Sequence, residues 1–88
     1  MSDVRFQLLS RAGCHLCQEM EQLLAAVLAG HGESYVVEDV DSDPEWRRRF
    51  GEVIPVLLRD GSPVAKIRLD RERLQRIVMR ARSRTVGG

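Results

Sequence analysis

The chain has 88 residues, 43% of them hydrophobic and 31% charged, a composition typical of one soluble domain that buries about 60–70% of its unfolded surface. Two cysteines are too few for a secreted disulfide scaffold, and no window is apolar enough for a signal peptide or a membrane span. We therefore expect a single cytoplasmic domain over residues 1–88 that does not associate with membranes.

Charge is distributed unevenly along the chain, although the net charge is only +1. Residues 1–45 carry two arginines and nine acidic residues, whereas residues 46–88 carry twelve basic and four acidic residues. The basic half is either the solvated face of the last helix or a docking surface for an acidic protein. No aromatic residue follows Phe50, so stacking of bases has no platform and nucleic-acid binding is not expected.

The first predicted element is a strand over residues 4–9, where apolar residues alternate with polar ones. Residues 10–13 form the turn that leads from this strand to Cys14. Gly13 gives the backbone the freedom to turn tightly just before the thiol.

Cys14 and Cys17 are the only cysteines, and they lie two residues apart where a strand runs into a helix. This spacing in this context indicates a dithiol redox site. The alternatives are half of a zinc site or two cysteines that are close by accident. A structural zinc ion normally takes four ligands, and the remaining candidates, His15 and His31, have no partner at ligand spacing.

Apolar residues recur at spacings of three and four from Leu16 to Leu28, which predicts an amphipathic helix that begins near His15 and ends at Gly30. A second strand is predicted over residues 34–40. A strand, a helix and a strand in this order form a crossover unit with parallel strands.

A short helix is predicted next, with Asp43 as its N-cap and Pro44 at its first position. Trp46 and Phe50 lie four residues apart on one face of this helix, and Gly51 ends it. We interpret Trp46 as a packing residue rather than as a platform for a substrate.

The third strand is predicted over residues 53–58, with Pro55 at its entrance. Asp60 and Gly61 form a strong two-residue hairpin signal between this strand and a fourth over residues 64–67.

The last helix is predicted to begin at an N-cap formed by Asp70. Leu69 and Leu74 flank that cap at the positions of a hydrophobic staple. Residues 83–88 are expected to form a frayed tail.

The predicted order β-α-β-α-β-β-α resembles a small glutaredoxin-like protein of the thioredoxin-fold superfamily, in a bacterial glutaredoxin-like branch. The resemblance lies in Ser-Arg-Ala-Gly-Cys-His-Leu-Cys over residues 10–17, in the Asp-rich link to the second helix, and in Val-Ile-Pro over residues 53–55. It implies an α/β fold whose four-stranded mixed sheet has the order 2-1-3-4 and is flanked by three helices. It also implies that the last two strands are antiparallel to the first two, that the first and third helices share one face, and that Pro55 is cis and faces the thiols.

The resemblance and the position of the thiols together predict their roles. Cys14 at a helix start lies near unpaired N–H groups that favour a thiolate, so it is the predicted nucleophile, and Cys17 is the resolving thiol. Arg11 adds positive charge, and the backbone at Ile54, before Pro55, is expected to pair with the substrate.

Glutathione is the expected co-substrate, but with weak binding, and no tightly bound cofactor or metal is expected. The resemblance assigns Arg11 to a glutathione carboxylate, Ile54 and Pro55 to the cysteinyl part, and Asp70 to the ammonium group. The Gly-Gly pair that glutaredoxins carry before the last helix is absent, and Arg-Leu-Asp occupies residues 68–70.

The motif also departs from the usual Cys-Pro-Tyr-Cys of glutaredoxins, since Gly13 precedes Cys-His-Leu-Cys. Gly13 and His15 are therefore candidates for tuning the thiols, and His15 is equally interpretable as a solvent-facing spacer.

We predict a monomeric thiol-disulfide oxidoreductase that acts on disulfides of a protein or a small molecule. One alternative is a carrier of a metal or an iron–sulfur cluster, which would need a dimer because one chain offers too few ligands. The other is a docking module that keeps the fold but turns over little.

Overall fold

The strands and helices follow one another in the predicted order in the computed structural model, which describes residues 5–87 and the side chains of residues 5–80. The elements are β1 (Phe6–Ser10), α1 (His15–Gly30), β2 (Tyr35–Asp39), a 3₁₀ turn (Val40–Ser42), α2 (Pro44–Phe50), β3 (Val56–Arg59), β4 (Ser62–Lys66) and α3 (Arg71–Gly87).

The four strands form one mixed sheet with the order β2-β1-β3-β4, as predicted. β1 and β2 are parallel, β3 is antiparallel to β1, and β4 is antiparallel to β3. β4 therefore runs in the same direction as β1, so the expectation that both last strands oppose the first two was right for β3 and wrong for β4. The reason is the two-residue turn at Asp60 and Gly61, whose φ angles of 51° and 84° reverse the chain between β3 and β4.

The strands at the hairpin differ from their predicted bounds. The third strand was predicted over 53–58 but begins at Val56, because the N–H of Val53 bonds to the carbonyl of Phe50 in a turn. The fourth was predicted over 64–67 but covers Ser62–Lys66, because pairing with β3 starts directly after the tight turn.

The bounds of the first two strands also differ slightly from the predicted bounds. β1 begins at Phe6, because Arg5 lies outside the strand, and Val4 lies outside the described residues. β1 extends one residue past the predicted end because Ser10 pairs with Asp39. β2 is shorter than predicted at both ends, since Val40 already belongs to the 3₁₀ turn.

The three predicted N-termini of helices are confirmed. Asp43 Oδ1 accepts the N–H of Glu45 at 2.8 Å and starts α2, with Pro44 as the first helical residue. Asp70 Oδ1 accepts the N–H of Arg73 at 2.8 Å and starts α3. Cys14 is the N-cap of α1.

The C-terminal helix is longer than predicted. Helical backbone continues to Gly87, through the stretch over 83–87 for which a frayed tail was expected, and residue 88 lies outside the described part. The extent of a single domain over 1–88 stays a prediction. No helix within residues 5–87 is long and apolar enough to cross a bilayer.

Apolar side chains cover both faces of the sheet. α1 and α3 share one face, as the resemblance implied, over the buried residues Phe6, Leu8, Met20, Leu24, Val27, Leu28, Leu57, Ala65, Leu74 and Val78. α2 covers the other face, over Leu9, Val40, Phe50, Val56 and Leu58, with Trp46 packed against them. Trp46 is thus a packing residue, as interpreted from the sequence.

Candidate functional site

The turn after β1 places Cys14 at the start of α1. The N–H of Cys14 bonds to the carbonyl of Arg11 at 3.1 Å, which closes the turn. Gly13 within it has a φ of +82°, a conformation that residues with a side chain rarely adopt. The strand end and the helix start are therefore joined by a tight connection that fixes where the first sulfur lies.

Cys14 and Cys17 are joined by a disulfide, with their Cα atoms 5.2 Å apart. Their exposure differs, because Cys14 is partly exposed whereas Cys17 is only 1% exposed. The backbone N–H of Cys17 donates to the sulfur of Cys14 at 3.1 Å. An N–H aimed at this sulfur stabilises negative charge on it, so the more accessible sulfur is also the one with a donor at a helix start.

Arg11 lies in the same turn, but its guanidinium is bound by other parts of the chain. Nε and Nη2 donate to the two carboxylate oxygens of Asp41 at 2.8 and 2.9 Å, and Nη1 donates to the carbonyl of Gly51 at 3.1 Å. The hydrogen bond with Asp41 raises the pKa of Arg11, and the same bond holds the pKa of Asp41 below its ordinary value. Arg11 thus ties the cysteine turn to the 3₁₀ turn and to the end of α2.

Asp41 was not predicted as a member of the site. Its loop is shaped by Asp39, which accepts the N–H of Asp41 at 2.8 Å and, through its carbonyl, the hydroxyl of Ser42 at 2.7 Å. The Asp-rich link was visible in the sequence, and a carboxylate there was an available partner for a nearby cation. The assignment of Arg11 to glutathione stays a prediction, and binding there would compete with Asp41.

The peptide bond between Ile54 and Pro55 is cis, as the resemblance implied. Pro55 is buried, and its carbonyl accepts the N–H of Ile67 at 2.7 Å, which ties this loop to the residue after β4. Ile54 is partly exposed. Pairing of the Ile54 backbone with a substrate stays a prediction.

A groove of about 190 Å³ lies beside the first turns of α1, opposite the loop before α3. Ile67 begins that loop with a φ of 68°, which is rare for a β-branched residue, and the N–H of Arg68 bonds to the carbonyl of Lys66 at 2.7 Å. The lining consists of Leu16, Glu19, Met20, Leu23, Ile67, Arg68 and Leu69. Sequence reasoning missed this groove, since nothing local pairs the loop with α1.

The remaining predicted residues occupy exposed positions. The His15 side chain is 85% exposed, with Nε2 3.4 Å from the carboxylate of Glu19, which fits the interpretation as a spacer and leaves tuning untested. Asp70 is exposed, and one of its oxygens already caps α3. Within the described residues, no three His, Cys, Asp or Glu side chains are grouped to hold a metal ion.

Comparison with known proteins identifies relatives along most of the chain. The model of the family described as the glutaredoxin-like domain (DUF836) matches residues 5–78. Uncharacterized proteins of Mycobacterium tuberculosis and Mycobacterium bovis are each 33% identical over 86 residues, which covers 92% of this chain and 89% of the relative.

Solved structures share the fold. Protein XcR50 of X. campestris has a TM-score of 0.69 at 24% identity, over 83% of this chain and 93% of that one. Protein Ne2328 of Nitrosomonas europaea has a TM-score of 0.71 at 22% identity, over 88% and 94%. Glutaredoxin C1 of Populus tremula x tremuloides has a TM-score of 0.54 at 20% identity, over 90% and 78%.

Proposed function

This chain belongs to the glutaredoxin-like domain family, and from that membership we propose that it is an oxidoreductase that exchanges disulfides through Cys14 and Cys17. The observation that carries the proposal is the disulfide between a partly exposed sulfur at a helix start and a buried sulfur one turn further along. We propose that it acts as a monomer in the reducing cytoplasm, where a close cysteine pair is more often catalytic than structural.

The exchange begins with the reduced pair. The Cys14 thiolate attacks one sulfur of the substrate disulfide, a bond forms between them, and the other substrate sulfur leaves as a thiolate that takes up a proton. Cys17 then loses its proton and attacks the Cys14 sulfur, and the second substrate thiol is released. Two electrons pass from the dithiol to the substrate, which is reduced, while Cys14 and Cys17 become the disulfide.

Burial supports the division of roles between the two sulfurs. A substrate can approach the partly exposed Cys14, whereas Cys17 at 1% exposure is out of reach of an external disulfide but adjacent to the mixed disulfide on Cys14. The N–H of Cys17 that donates to the Cys14 sulfur supports the thiolate at the attacking position.

We propose that a disulfide of a protein or of a small molecule is reduced, with the substrate backbone paired at Ile54 before the buried Pro55. Trapping tests this assignment: Cys17→Ser should accumulate a mixed disulfide, and the matched Cys14→Ser variant should accumulate none. A mixed disulfide on Cys17 in the Cys14→Ser variant would reverse the roles, and absence of exchange by the native protein would refute the function.

Alkylation of the reduced protein distinguishes the two thiols directly. At mildly acidic pH iodoacetamide should label Cys14 first, because a helix start favours its thiolate and Cys17 is buried. Mass spectrometry of the partly labelled protein identifies the site. Equal labelling of both thiols would contradict the assignment.

Glutathione is the proposed electron donor, with weak binding. Arg11 would have to exchange its bonds to Asp41 and Gly51 for the glutathione carboxylate, and Leu69 stands where a glycine would allow close approach of the backbone. Loss of one anchor costs on the order of 1–3 kcal/mol, or roughly ten- to hundred-fold in affinity.

The donor is tested by reduction of a small mixed disulfide with glutathione and glutathione reductase, beside a parallel reaction with thioredoxin reductase. Slow but saturable turnover with glutathione is expected. Fast turnover with thioredoxin reductase and none with glutathione would identify the other donor.

A further inference from the structure

Four arginines converge on a groove between the β3–β4 hairpin and α3. The groove has a volume of about 320 Å³ and is lined by Arg59, Val64, Arg73, Arg76, Ile77 and Arg80. We call this the arginine groove. The three arginines of α3 recur at spacings of three and four, so they form one stripe about 10 Å long. A second hollow that contains Lys66 shares Val64 and Arg73 with the groove and extends the positive surface along β4.

Acidic side chains neutralise little of this charge. The side chains of Arg59 and Arg80 form no ion pair with another described side chain. Arg76 meets Glu72 at 3.3 Å in an exposed pair, which contributes little, and Arg73 donates to the carbonyl of Val64 at 3.1 Å. Like charges three and four residues apart destabilise a helix, so an acidic ligand would relieve a repulsion that is built into α3.

The lining favours a polypeptide over a nucleic acid. Guanidinium groups bind carboxylates in a bidentate fashion, and Val64 and Ile77 between them offer an apolar surface for an aliphatic side chain. Stacking of bases requires aromatic side chains, and the residues that line the groove include none.

The groove is separate from the cysteine pair. Arg59 pairs with Phe6, at the opposite end of β1 from the turn that carries Cys14. A segment bound there leaves the sulfur of Cys14 open.

We infer that the arginine groove docks an acidic polypeptide segment whose glutamate or aspartate side chains flank an aliphatic residue. The charge complementarity and the apolar strip carry this inference, which does not depend on the redox activity.

The test measures fluorescence anisotropy of the intact protein with a fluorescein-labelled, cysteine-free peptide that alternates glutamate and leucine. The Arg59→Gln/Arg76→Gln variant should bind about a hundredfold more weakly, because two charge-assisted hydrogen bonds are lost and each is worth roughly one decade. Arg68→Gln/Arg71→Gln is the matched control, because it removes the same number of charges from exposed positions that do not line the groove. It should change the affinity by less than about twofold.

Two further probes test which kind of molecule binds in the arginine groove. A peptide with serine in place of leucine should bind more weakly, because it cannot use the apolar strip of Val64 and Ile77. A single-stranded oligonucleotide of equal length and charge should also bind more weakly than the glutamate–leucine peptide. The inference would be overturned if the glutamate–leucine peptide did not bind, or if the groove and control variants lost the same affinity for it. It would also be overturned if the serine peptide bound equally well or the oligonucleotide bound more tightly.

Discussion

The two faces of the sheet are held by different forces. Two long helices cover one face over ten buried apolar residues among the described side chains, whereas α2, a helix of seven residues, covers the other over five. Helices this short are marginal by themselves, so α2 depends on its cap at Asp43 and on directed hydrogen bonds. One of these bonds comes from Arg11 in the cysteine turn to the carbonyl of Gly51. We therefore expect burial on the face covered by α1 and α3 to supply most of the stability. Polar contacts on the face covered by α2 hold the turn that leads to Cys14.

The largest expected effect lies on the face covered by α1 and α3. Leu24 is fully buried there, and Leu24→Ala should lower the free energy of unfolding by about 2–5 kcal/mol through lost burial and a residual cavity. Urea denaturation measures the change. Gln22→Ala, at an exposed position of the same helix, is the control and should stay within about 0.5 kcal/mol. A loss for Leu24→Ala no larger than that of the control would show that this face is not the main source of stability.

An intermediate effect is expected at the border between the faces, in the cysteine turn. Gly13→Ala should lower the free energy of unfolding by about 1–2 kcal/mol, because an L residue is disfavoured at a φ of +82°. Apart from the two neighbouring residues, no heavy atom lies within 4 Å of the added methyl group, so the cost reflects backbone conformation alone. Gly30→Ala, which also meets open space but at the end of a helix, should not destabilise the protein. Equal stabilities of the two variants would show that the positive φ of residue 13 does not disfavour a side chain there.

The smallest expected effect is that of the exposed pair on the α2 face, and it depends on pH. The hydrogen bond from Arg11 lowers the pKa of Asp41 in the folded protein, so its stabilisation is present above the ordinary carboxyl pKa and is lost as the pH falls through the lower folded value. Asp41→Asn should therefore lower Tm slightly near pH 7, and the difference from the native protein should shrink below about pH 4.

Thermal unfolding followed by circular dichroism at both pH values measures this difference. Glu52→Gln is a suitable control, because Glu52 is an exposed carboxylate near the end of α2 with no ion pair among the described side chains. A Tm difference for Asp41→Asn that persists in acid would show that the pair contributes through packing rather than through charge.

Features that depend on neighbouring residues could be predicted from the sequence. The caps at Asp43 and Asp70 and the turn at Asp60 and Gly61 each need only a few adjacent positions, and each is present. The same hairpin signal also determines the direction of β4, because a two-residue turn makes β4 antiparallel to β3 and therefore parallel to β1.

Contacts between segments that are distant in the sequence could not be predicted in this way. Arg11 and Asp41 are thirty residues apart, and many other carboxylates were equally available to this guanidinium. The positive φ of Ile67 contradicts the preference of a β-branched residue and accompanies a bond to the carbonyl of Pro55 in another loop. The sequence shows that residues 46–88 are rich in arginine. It does not show that four arginines line one groove, because this depends on Arg59 of β3 facing α3.

The unequal burial of the two sulfurs also predicts how the reduced protein would react with a peroxide. In the reduced protein, we expect an oxidant from solvent to reach Cys14 first and to convert its thiol to a sulfenic acid, because Cys17 is only 1% exposed. A thiol on the same helical turn then condenses with the sulfenic acid, and water is lost as the disulfide forms. Further oxidation to the irreversible sulfinic and sulfonic acids would compete with this condensation, so we expect Cys17 to protect Cys14 from permanent oxidation.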